Sequence, residues 1–110
     1  MKRMVIQYKV KPEQAERNAE LIRAVYEEIQ RTQPDGLRYA ALRLADGVTF
    51  IHIAEEPAEG QSPLGTLESF QRFRAGIAER CEVLPTAQES SEVGSFRLFV
   101  SSPPAKEIQL

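Results

Sequence analysis

The chain has 110 residues, enough for one domain with a core of ordinary size but not for two full domains. Its 14 Lys and Arg residues against 16 Asp and Glu residues give a net charge of −2, which argues against a nucleic-acid-binding protein because such proteins carry basic patches. A hydrophobic content of 42% excludes an intrinsically disordered chain.

The cysteine and histidine content restricts the compartment and the chemistry. Cys81 is the only cysteine, so no disulfide forms within the chain, and a reducing compartment such as the cytoplasm is expected. His52 is the only histidine, and no cluster of Cys and His residues predicts a metal site. No apolar run reaches the ~20 residues that a membrane-spanning helix needs. The sequence therefore predicts a cytoplasmic protein that binds neither a metal nor a membrane.

The first half of the chain predicts a strand and then a helix. Residues 5–10 alternate apolar and polar side chains before Pro12, which is typical of a strand that ends at proline. Residues 13–31 carry apolar side chains at helical spacing, and Pro34 to Gly36 form a turn. The apolar stripe of this helix consists of Ala15, Ala19, Ile22, Tyr26 and Ile29.

The second half predicts a hairpin, a helix and a last strand. Strands over 37–45 and 48–54 flank Asp46-Gly47, a strong signal for a two-residue hairpin loop. After a loop over 55–65, the spacing of Leu67, Phe70, Phe73 and Ile77 predicts a helix over 66–80. Residues 82–91 are expected to be a connection, 93–100 the last strand and 101–110 a tail.

This order of elements predicts an α+β fold of the ferredoxin-like βαββαβ type, with a four-stranded antiparallel sheet and both helices on one face. The domain is expected to span residues 1–100. The hairpin register places Tyr39 opposite Ala54 and Ala41 opposite His52 on one face of the sheet. The other face then carries apolar side chains that two helices cannot cover, so we expect a homodimer formed through that face. These side chains are Leu42, Leu44, Ile51 and Ile53.

The pattern resembles the dimeric α+β barrel superfamily, and within it the antibiotic biosynthesis monooxygenase-like family. The resemblance rests on five segments, namely residues 5–12, 33–39, 48–56, 70–73 and 93–99. It implies a homodimer of ferredoxin-like subunits, each with a small pocket between helices and sheet. It also implies oxidation of a quinol-type or other aromatic molecule without a cofactor in some members, and haem degradation or no known activity in others.

Three positions depart from the haem-degrading members of the family. Those members use an Asn on the first strand, a Trp on the third and a His on the second helix, where this chain has Ile6, Ala54 and Ser69. Haem degradation is therefore disfavoured. Many monooxygenase-like members carry a Glu two residues before the Trp, and that position is His52 here.

The resemblance and the face assignment together give a candidate site. His52 is the expected base that forms a substrate carbanion or phenolate, because its side chain titrates near neutrality. Tyr8 or Tyr39 would donate a hydrogen bond to a substrate oxygen, and Arg43 would hold developing negative charge. The expected ligand-binding residues are Ile6, Tyr26, Phe50, Ala54 and Ser69.

Each of these residues also has a purely structural interpretation. His52 is equally described as a hydrogen-bonded core residue, Tyr8 and Tyr39 as strand formers with a polar tip, and Arg43 as a side chain that extends to water. Glu27, Glu28, Glu55 and Glu56 are expected to be solvated acids. The sequence thus leaves two main functions open, a cofactor-independent monooxygenase acting on a small aromatic or quinol-type molecule, and a non-catalytic homodimeric module that binds a small apolar ligand. A purely structural assembly partner is a third.

Overall fold

The computed structural model describes residues 1–98, which form one sheet covered by helices on one face. Strand β1 is followed by a short 3-10 helix and then by a long helix, α1, that runs along the sheet. The hairpin β2–β3, the two short helices α2 and α3, and strand β4 complete the order. The bounds are β1 Lys2–Val10, 3-10 helix Pro12–Gln14, α1 Ala15–Thr32, β2 Arg38–Arg43, β3 Thr49–Glu56, α2 Glu68–Ala75, α3 Ile77–Arg80 and β4 Cys81–Ser90.

The sheet has the strand order β2-β3-β1-β4, with every neighbouring pair antiparallel. This is the ferredoxin-like arrangement, so the predicted fold class is confirmed. The central strands β1 and β3 pair along their whole length, with Ile6 opposite His52 and Tyr8 opposite Phe50. The middle of the sheet therefore presents Tyr8, Phe50 and His52 to the helices.

The hairpin register is the predicted one, although its loop is longer than predicted. Ala41 lies opposite His52. The two strands separate after Leu44, whose N–H donates to the carbonyl of Thr49 at 2.8 Å. Asp46 closes the loop by accepting hydrogen bonds from the N–H groups of residues 48 and 49, and Gly47 adopts a φ of 79° that favours glycine. A longer loop centred on the same point leaves every pair, and hence each face, unchanged.

The last strand lies earlier in the sequence than predicted. Residues 82–91, expected to be a connection, supply most of β4, while residues 93–98 of the predicted strand lie outside the sheet and are exposed. Residues 99–100 and the predicted tail 101–110 lie outside the described residues. Strand β4 is an edge strand whose residues 82–89 are all exposed, so it shows no apolar alternation and tolerates Pro85 beside an irregularity in its pairing with β1. Those two properties hide it from pattern analysis.

The second predicted helix is divided in two. Its C-terminal part, expected to continue to residue 80, is interrupted at Gly76, where α2 ends and α3 begins. Glycine inside a helix costs about 1 kcal/mol relative to alanine, which favours a break at this point. The break directs α3 back toward the sheet and places Arg80 in the interior.

The two faces of the sheet differ in burial. Tyr8, Phe50 and His52, on the helix-covered face, are 2–3% exposed. On the opposite face, Leu42 and Leu44 are 36% and 39% exposed. Alternation along β2 and β3 therefore divides the side chains as the hairpin predicted. None of the helices within residues 1–98 has the length and apolar character needed to cross a membrane.

Candidate functional site

His52 lies at the centre of the helix-covered face, with a tyrosine on each side of its ring. The Tyr8 hydroxyl from β1 lies 2.8 Å from Nε2, and the Tyr39 hydroxyl from β2 lies 2.5 Å from Nδ1. This arrangement follows from the sheet order, because β3 is flanked by β1 and β2 and all three side chains point to the same face. Both ring nitrogens are therefore already hydrogen-bonded within the protein.

A second layer of polar residues stands behind Tyr8. Asn18 on α1 donates from Nδ2 to the Tyr8 hydroxyl at 2.9 Å, and Arg80 donates from Nε to Asn18 Oδ1 at 3.0 Å. Arg80 also donates from Nη2 to the carbonyl oxygen of Phe73 at 2.7 Å. Asn18 is fully buried and Arg80 is 6% exposed. The result is a continuous polar row of five side chains through the core, from Arg80 to Tyr39.

Asn18 and Arg80 are not among the residues predicted from the sequence, although one signal for Asn18 was present. Asn18 follows Ala15 by three positions and precedes Ile22 by four, so it lies on the apolar stripe of α1, where a polar residue needs a buried partner. Arg80 carried no such signal, because its burial depends on the break at Gly76 and on the turn of α3 toward the sheet.

Burial sets the protonation states in this row. Desolvation lowers the pKa of His52 from 6.5 to about 4, so the imidazole is neutral at pH 7. Desolvation also raises the pKa values of Tyr8 and Tyr39 well above the usual phenol value, so both hydroxyls stay protonated. The same cause lowers the pKa of Arg80, and an arginine remains charged under such a shift because its usual pKa is above 12. The row therefore holds one positive charge, at its inner end.

Aromatic rings enclose the row. The Phe50 ring stacks on Tyr8 with centroids 5.6 Å apart, and the Phe73 centroid lies 5.4 Å from that of His52. Tyr26 on α1 stacks on Tyr39 at 5.2 Å and donates its hydroxyl proton to the Tyr39 backbone carbonyl at 3.2 Å. Predicted ligand-binding positions thus lie in or beside the cluster. Tyr26 is half-buried, Phe50 and Ala54 are buried, and Ile6 is half-buried opposite His52.

The structure does not bring Arg43 into this cluster. Arg43 lies at the end of β2, where Nε donates to the Gly47 carbonyl at 2.8 Å and Nη1 pairs with Glu16 at 2.9 Å. The guanidinium carbon of Arg43 lies 5.7 Å from the centroid of the Phe50 ring. These contacts tie the hairpin to α1 and leave the cation in contact with solvent.

Ser69 has a structural partner at the start of α2. Its backbone N–H and its hydroxyl both donate to Glu28 Oε1, at 2.9 and 2.5 Å. These bonds lower the pKa of Glu28 below its usual value. The expectation that Glu28 is a solvated acid is therefore wrong, because this carboxylate joins α1 to the first turn of α2 across the helix layer. The same expectation is wrong for Glu55, which pairs with Arg3 at 2.6 Å, and for Glu56, which accepts a hydrogen bond from the Ser62 hydroxyl at 2.6 Å.

Two open concavities lie on the helix side, and His52 lines neither of them. One, of about 420 Å³, runs between α1 and α2–α3, and the other, of about 580 Å³, lies on the outer surface of α1. Arg80 lines the first concavity and Tyr26 lines the second. Among residues 1–98, no group of three His, Cys, Asp or Glu side chains is arranged to hold a metal ion.

Comparison with known proteins identifies the fold. No protein-family model and no curated protein matches the sequence. Among solved structures, an antibiotic biosynthesis monooxygenase is 23% identical, with a TM-score of 0.67 over 86% of this chain and 100% of its own. Rv0793 from Mycobacterium tuberculosis is 15% identical, with a TM-score of 0.66 over 86% and 96% of the two chains. A conserved protein from Methanosarcina mazei Go1 is 18% identical, with a TM-score of 0.65 over 81% of this chain and 89% of its own.

These likenesses agree with the topology of the sheet. The chain is an α+β protein with the ferredoxin-like fold, and its fold is that of the antibiotic biosynthesis monooxygenase structures. The likeness covers more than four fifths of the chain. The recognition made from the sequence segments is confirmed at the level of the fold.

Proposed function

We propose that this protein is a cofactor-independent monooxygenase of the antibiotic biosynthesis monooxygenase-like family, acting on a small aromatic or quinol-type molecule. The observation that carries the proposal is the hydrogen-bonded Tyr8–His52–Tyr39 triad on the helix-covered face of the sheet. Aromatic side chains surround the triad and suit a flat, conjugated ligand. The fold shared with a monooxygenase structure supports the same reaction class.

The atoms and electrons of the proposed reaction balance with the substrate and dioxygen alone, without a bound redox group. A substrate methylene conjugated to an aromatic oxygen first loses a proton and becomes a carbanion with its charge delocalised onto that oxygen. Dioxygen then accepts the electrons. One oxygen atom becomes the new carbonyl, the other leaves as water, and the substrate supplies all four electrons. The protein's part is to hold the substrate oxygen and to stabilise its negative charge, which hydrogen-bond donors in a dry site do well.

The role of His52 as the base stays a prediction. A pKa of about 4 leaves the ring unprotonated at neutral pH, as a base must be, but it also makes the ring a weak proton acceptor. In this proposal Tyr8, Tyr39 and Arg43 are the accompanying polar groups, and Ile6, Tyr26, Phe50, Ala54 and Ser69 are the ligand-binding positions. Of the polar groups, the tyrosines are the ones that contact His52.

A second candidate is a non-catalytic module that binds a small apolar ligand. The observation that favours it is the complete pairing of His52, whose two nitrogens are both occupied by tyrosines in a fully buried position. A histidine tied in this way rigidifies a pocket wall without exchanging protons. This candidate keeps the same site and the same ligand shape, and it differs only in the absence of turnover.

Both candidates include a homodimer formed through the uncovered face of the sheet. Leu42 and Leu44 are more than a third exposed there, and Ile51 and Ile53 are only half-buried. Water in contact with four neighbouring aliphatic side chains is unfavourable, and an isologous contact with a second copy would remove it. The proposed location is the cytoplasm, supported by the single buried thiol of Cys81.

The test combines native mass spectrometry with oxygen labelling. Gently purified protein is first weighed to find its assembly state and any retained small molecule. It is then incubated under ¹⁸O₂ with 1-naphthol, with 1,4-dihydroxynaphthalene and with a tricyclic ketone that carries a methylene group. We expect one ¹⁸O atom in the product of the ketone and loss of that product in His52→Ala. The matched control is Leu44→Ala, which alters the uncovered face and should leave turnover unchanged.

The outcomes separate the two candidates. Label incorporation that is equal in wild-type protein, His52→Ala and heat-denatured protein would contradict catalysis at this site. A retained or titratable aromatic ligand without any turnover would then establish the binding module. A monomer without ligand would overturn both the dimer and the ligand-binding proposals.

A further inference from the structure

The hydrogen bonds of the polar row can be given a direction, starting from Arg80. A guanidinium only donates, so Asn18 Oδ1, 3.0 Å from Arg80 Nε, must be the acceptor. The orientation of the Asn18 amide is thereby fixed, and its NH₂ group faces the Tyr8 hydroxyl at 2.9 Å. Tyr8 oxygen is therefore an acceptor on the side of Asn18. The first two bonds of the row both point outward from Arg80.

The direction of the third bond follows from the burial of Tyr8. Its hydroxyl proton has one available acceptor, His52 Nε2 at 2.8 Å. If Nε2 carried a proton instead, the Tyr8 hydroxyl proton would have no partner in a side chain that is 2% exposed. A buried donor without a partner loses its full interaction with water. Tyr8 therefore donates to Nε2, and the proton of the neutral imidazole resides on Nδ1.

A doubly protonated His52 is excluded by the same geometry. Both nitrogens would then donate, and the hydroxyl protons of Tyr8 and Tyr39 would both lose their acceptor. The row would also hold a second cation beside Arg80, and none of residues 1–98 places a carboxylate within ion-pair distance of that guanidinium. A single proton on Nδ1 is the one arrangement that leaves the deeper tyrosine satisfied.

The last bond then runs from His52 Nδ1–H to the oxygen of Tyr39, and it leaves the Tyr39 hydroxyl proton free. The described part of the chain gives this hydroxyl no partner other than His52. Tyr39 is half-buried, whereas Tyr8 and His52 are fully buried, so the free proton lies at the outer end of the row. Each donor in the row polarises the next, and the positive charge of Arg80 at the inner end strengthens the last donor.

We propose that Tyr39 is the ligand-contacting residue of this site, and that its hydroxyl donates a hydrogen bond to a carbonyl or oxyanion oxygen of an aromatic ligand. Arg80, Asn18, Tyr8 and His52 are positioning residues, which together form a one-way donor chain ending at Tyr39. The ligand class rests on the proposed function, since it assumes that a small aromatic molecule enters beside Tyr39. The direction of the donor chain does not depend on that function.

The direction of the donor chain is measured by ¹⁵N NMR on histidine-labelled protein. Because His52 is the only histidine, the spectrum contains one imidazole and needs no assignment. At pH 7 we expect Nδ1 to show the signature of a protonated nitrogen and Nε2 that of an unprotonated acceptor. A proton on Nε2, or on both nitrogens, would overturn the proposed direction whether or not the protein proves to be an enzyme.

Two variants separate positioning from a merely structural role. In Asn18→Asp, the carboxylate pairs with Arg80 and accepts the Tyr8 proton, so the donor chain reverses and the His52 proton should move to Nε2. In Tyr39→Phe, Tyr8 still donates to Nε2, so the proton should stay on Nδ1. An unchanged tautomer in folded Asn18→Asp would contradict the positioning role of Asn18. If that variant does not fold, the wild-type and Tyr39→Phe tautomers still decide the direction.

The ligand class is tested with two probes of matched shape. 1-Acetonaphthone carries a carbonyl acceptor and no donor, while 1-ethylnaphthalene lacks the oxygen. We expect the ketone to bind about tenfold more tightly than the hydrocarbon to wild-type protein, and the two to bind equally to Tyr39→Phe. Equal binding to wild-type protein would overturn the assigned ligand class. Binding of neither probe would contradict both the proposed function and the ligand class, while the tautomer still reports the donor chain independently.

Discussion

The two faces of the sheet are built from the same strands, yet one buries polar side chains and the other exposes apolar ones. On the helix-covered face, His52 and Tyr8 are buried, and within residues 1–98 every buried side-chain nitrogen and oxygen has a hydrogen-bond partner. On the uncovered face, Leu42 and Leu44 are apolar and lie partly in water. Burial of polar groups is stable when they are paired, and exposure of apolar groups is unfavourable until they are covered. The covered face therefore has its polar groups paired within one chain, whereas the uncovered face leaves apolar side chains in contact with water.

The largest expected difference between the faces is in the stability lost when a large apolar side chain is shortened to alanine. Phe50→Ala removes a ring that stacks on Tyr8 in a fully buried position, and it should lower the free energy of unfolding by about 3–5 kcal/mol. Leu44→Ala, on the uncovered face, should cost less than about 1 kcal/mol. Urea denaturation at low protein concentration measures both. Equal costs would mean that the two faces are buried alike in solution.

The second comparison concerns self-association through the uncovered face. Leu42→Asp places a charge where the proposed dimer buries the remaining third of a leucine, and symmetry repeats the change in both subunits. We expect the dimer dissociation constant to rise roughly a hundredfold, or about 3 kcal/mol. Sedimentation equilibrium measures the constant. Glu82→Ala on the exposed edge strand is the control, and a wild-type monomer would refute the dimer outright.

The third comparison concerns the pH dependence of stability that the buried His52 gives to the covered face. The His52 pKa is about 4 in the folded protein and near 6.5 in the unfolded chain, so the unfolded state binds more protons between these values. Stability should therefore fall as the pH drops from 6.5 to 4, by about 3 kcal/mol from this residue, and the contribution is constant above and below that window. The difference between wild-type protein and His52→Gln in urea unfolding at pH 7 and pH 4 isolates it. Parallel pH profiles would show that the pKa of His52 is the same in the folded and unfolded states.

The smallest comparison concerns the loop that sets the register and so the two faces. Gly47→Ala forces a side chain into a φ of 79° and should cost about 1 kcal/mol, because the space beside it is open and only the backbone is strained. Gly94→Ala, at an ordinary φ and with nothing within 4 Å, should change little. Thermal unfolding measures both. A loss of the native amide spectrum in Gly47→Ala would mean that this glycine fixes the register as well as the loop.

Local sequence patterns predicted the hairpin well and the candidate site only in part. The register of β2 and β3 was predictable because alternation and one turn fix it, and with it came the positions of Tyr39 and His52 on one face. Asn18 was detectable as a polar residue on the apolar stripe of α1. Arg80 was not, because its hydrogen bond to Asn18 joins positions 62 residues apart and requires the break at Gly76.

The amino-acid sequence by itself determined the first helix, the hairpin and the division of side chains between the two faces, because each depends on spacing within a short segment. The tertiary structure decided which segment completes the sheet, since an exposed edge strand carries no burial pattern of its own. It also decided the environment of His52. The sequence supplied a histidine, and the contacts of β1, β2 and the helices made it a neutral residue whose two nitrogens are both hydrogen-bonded.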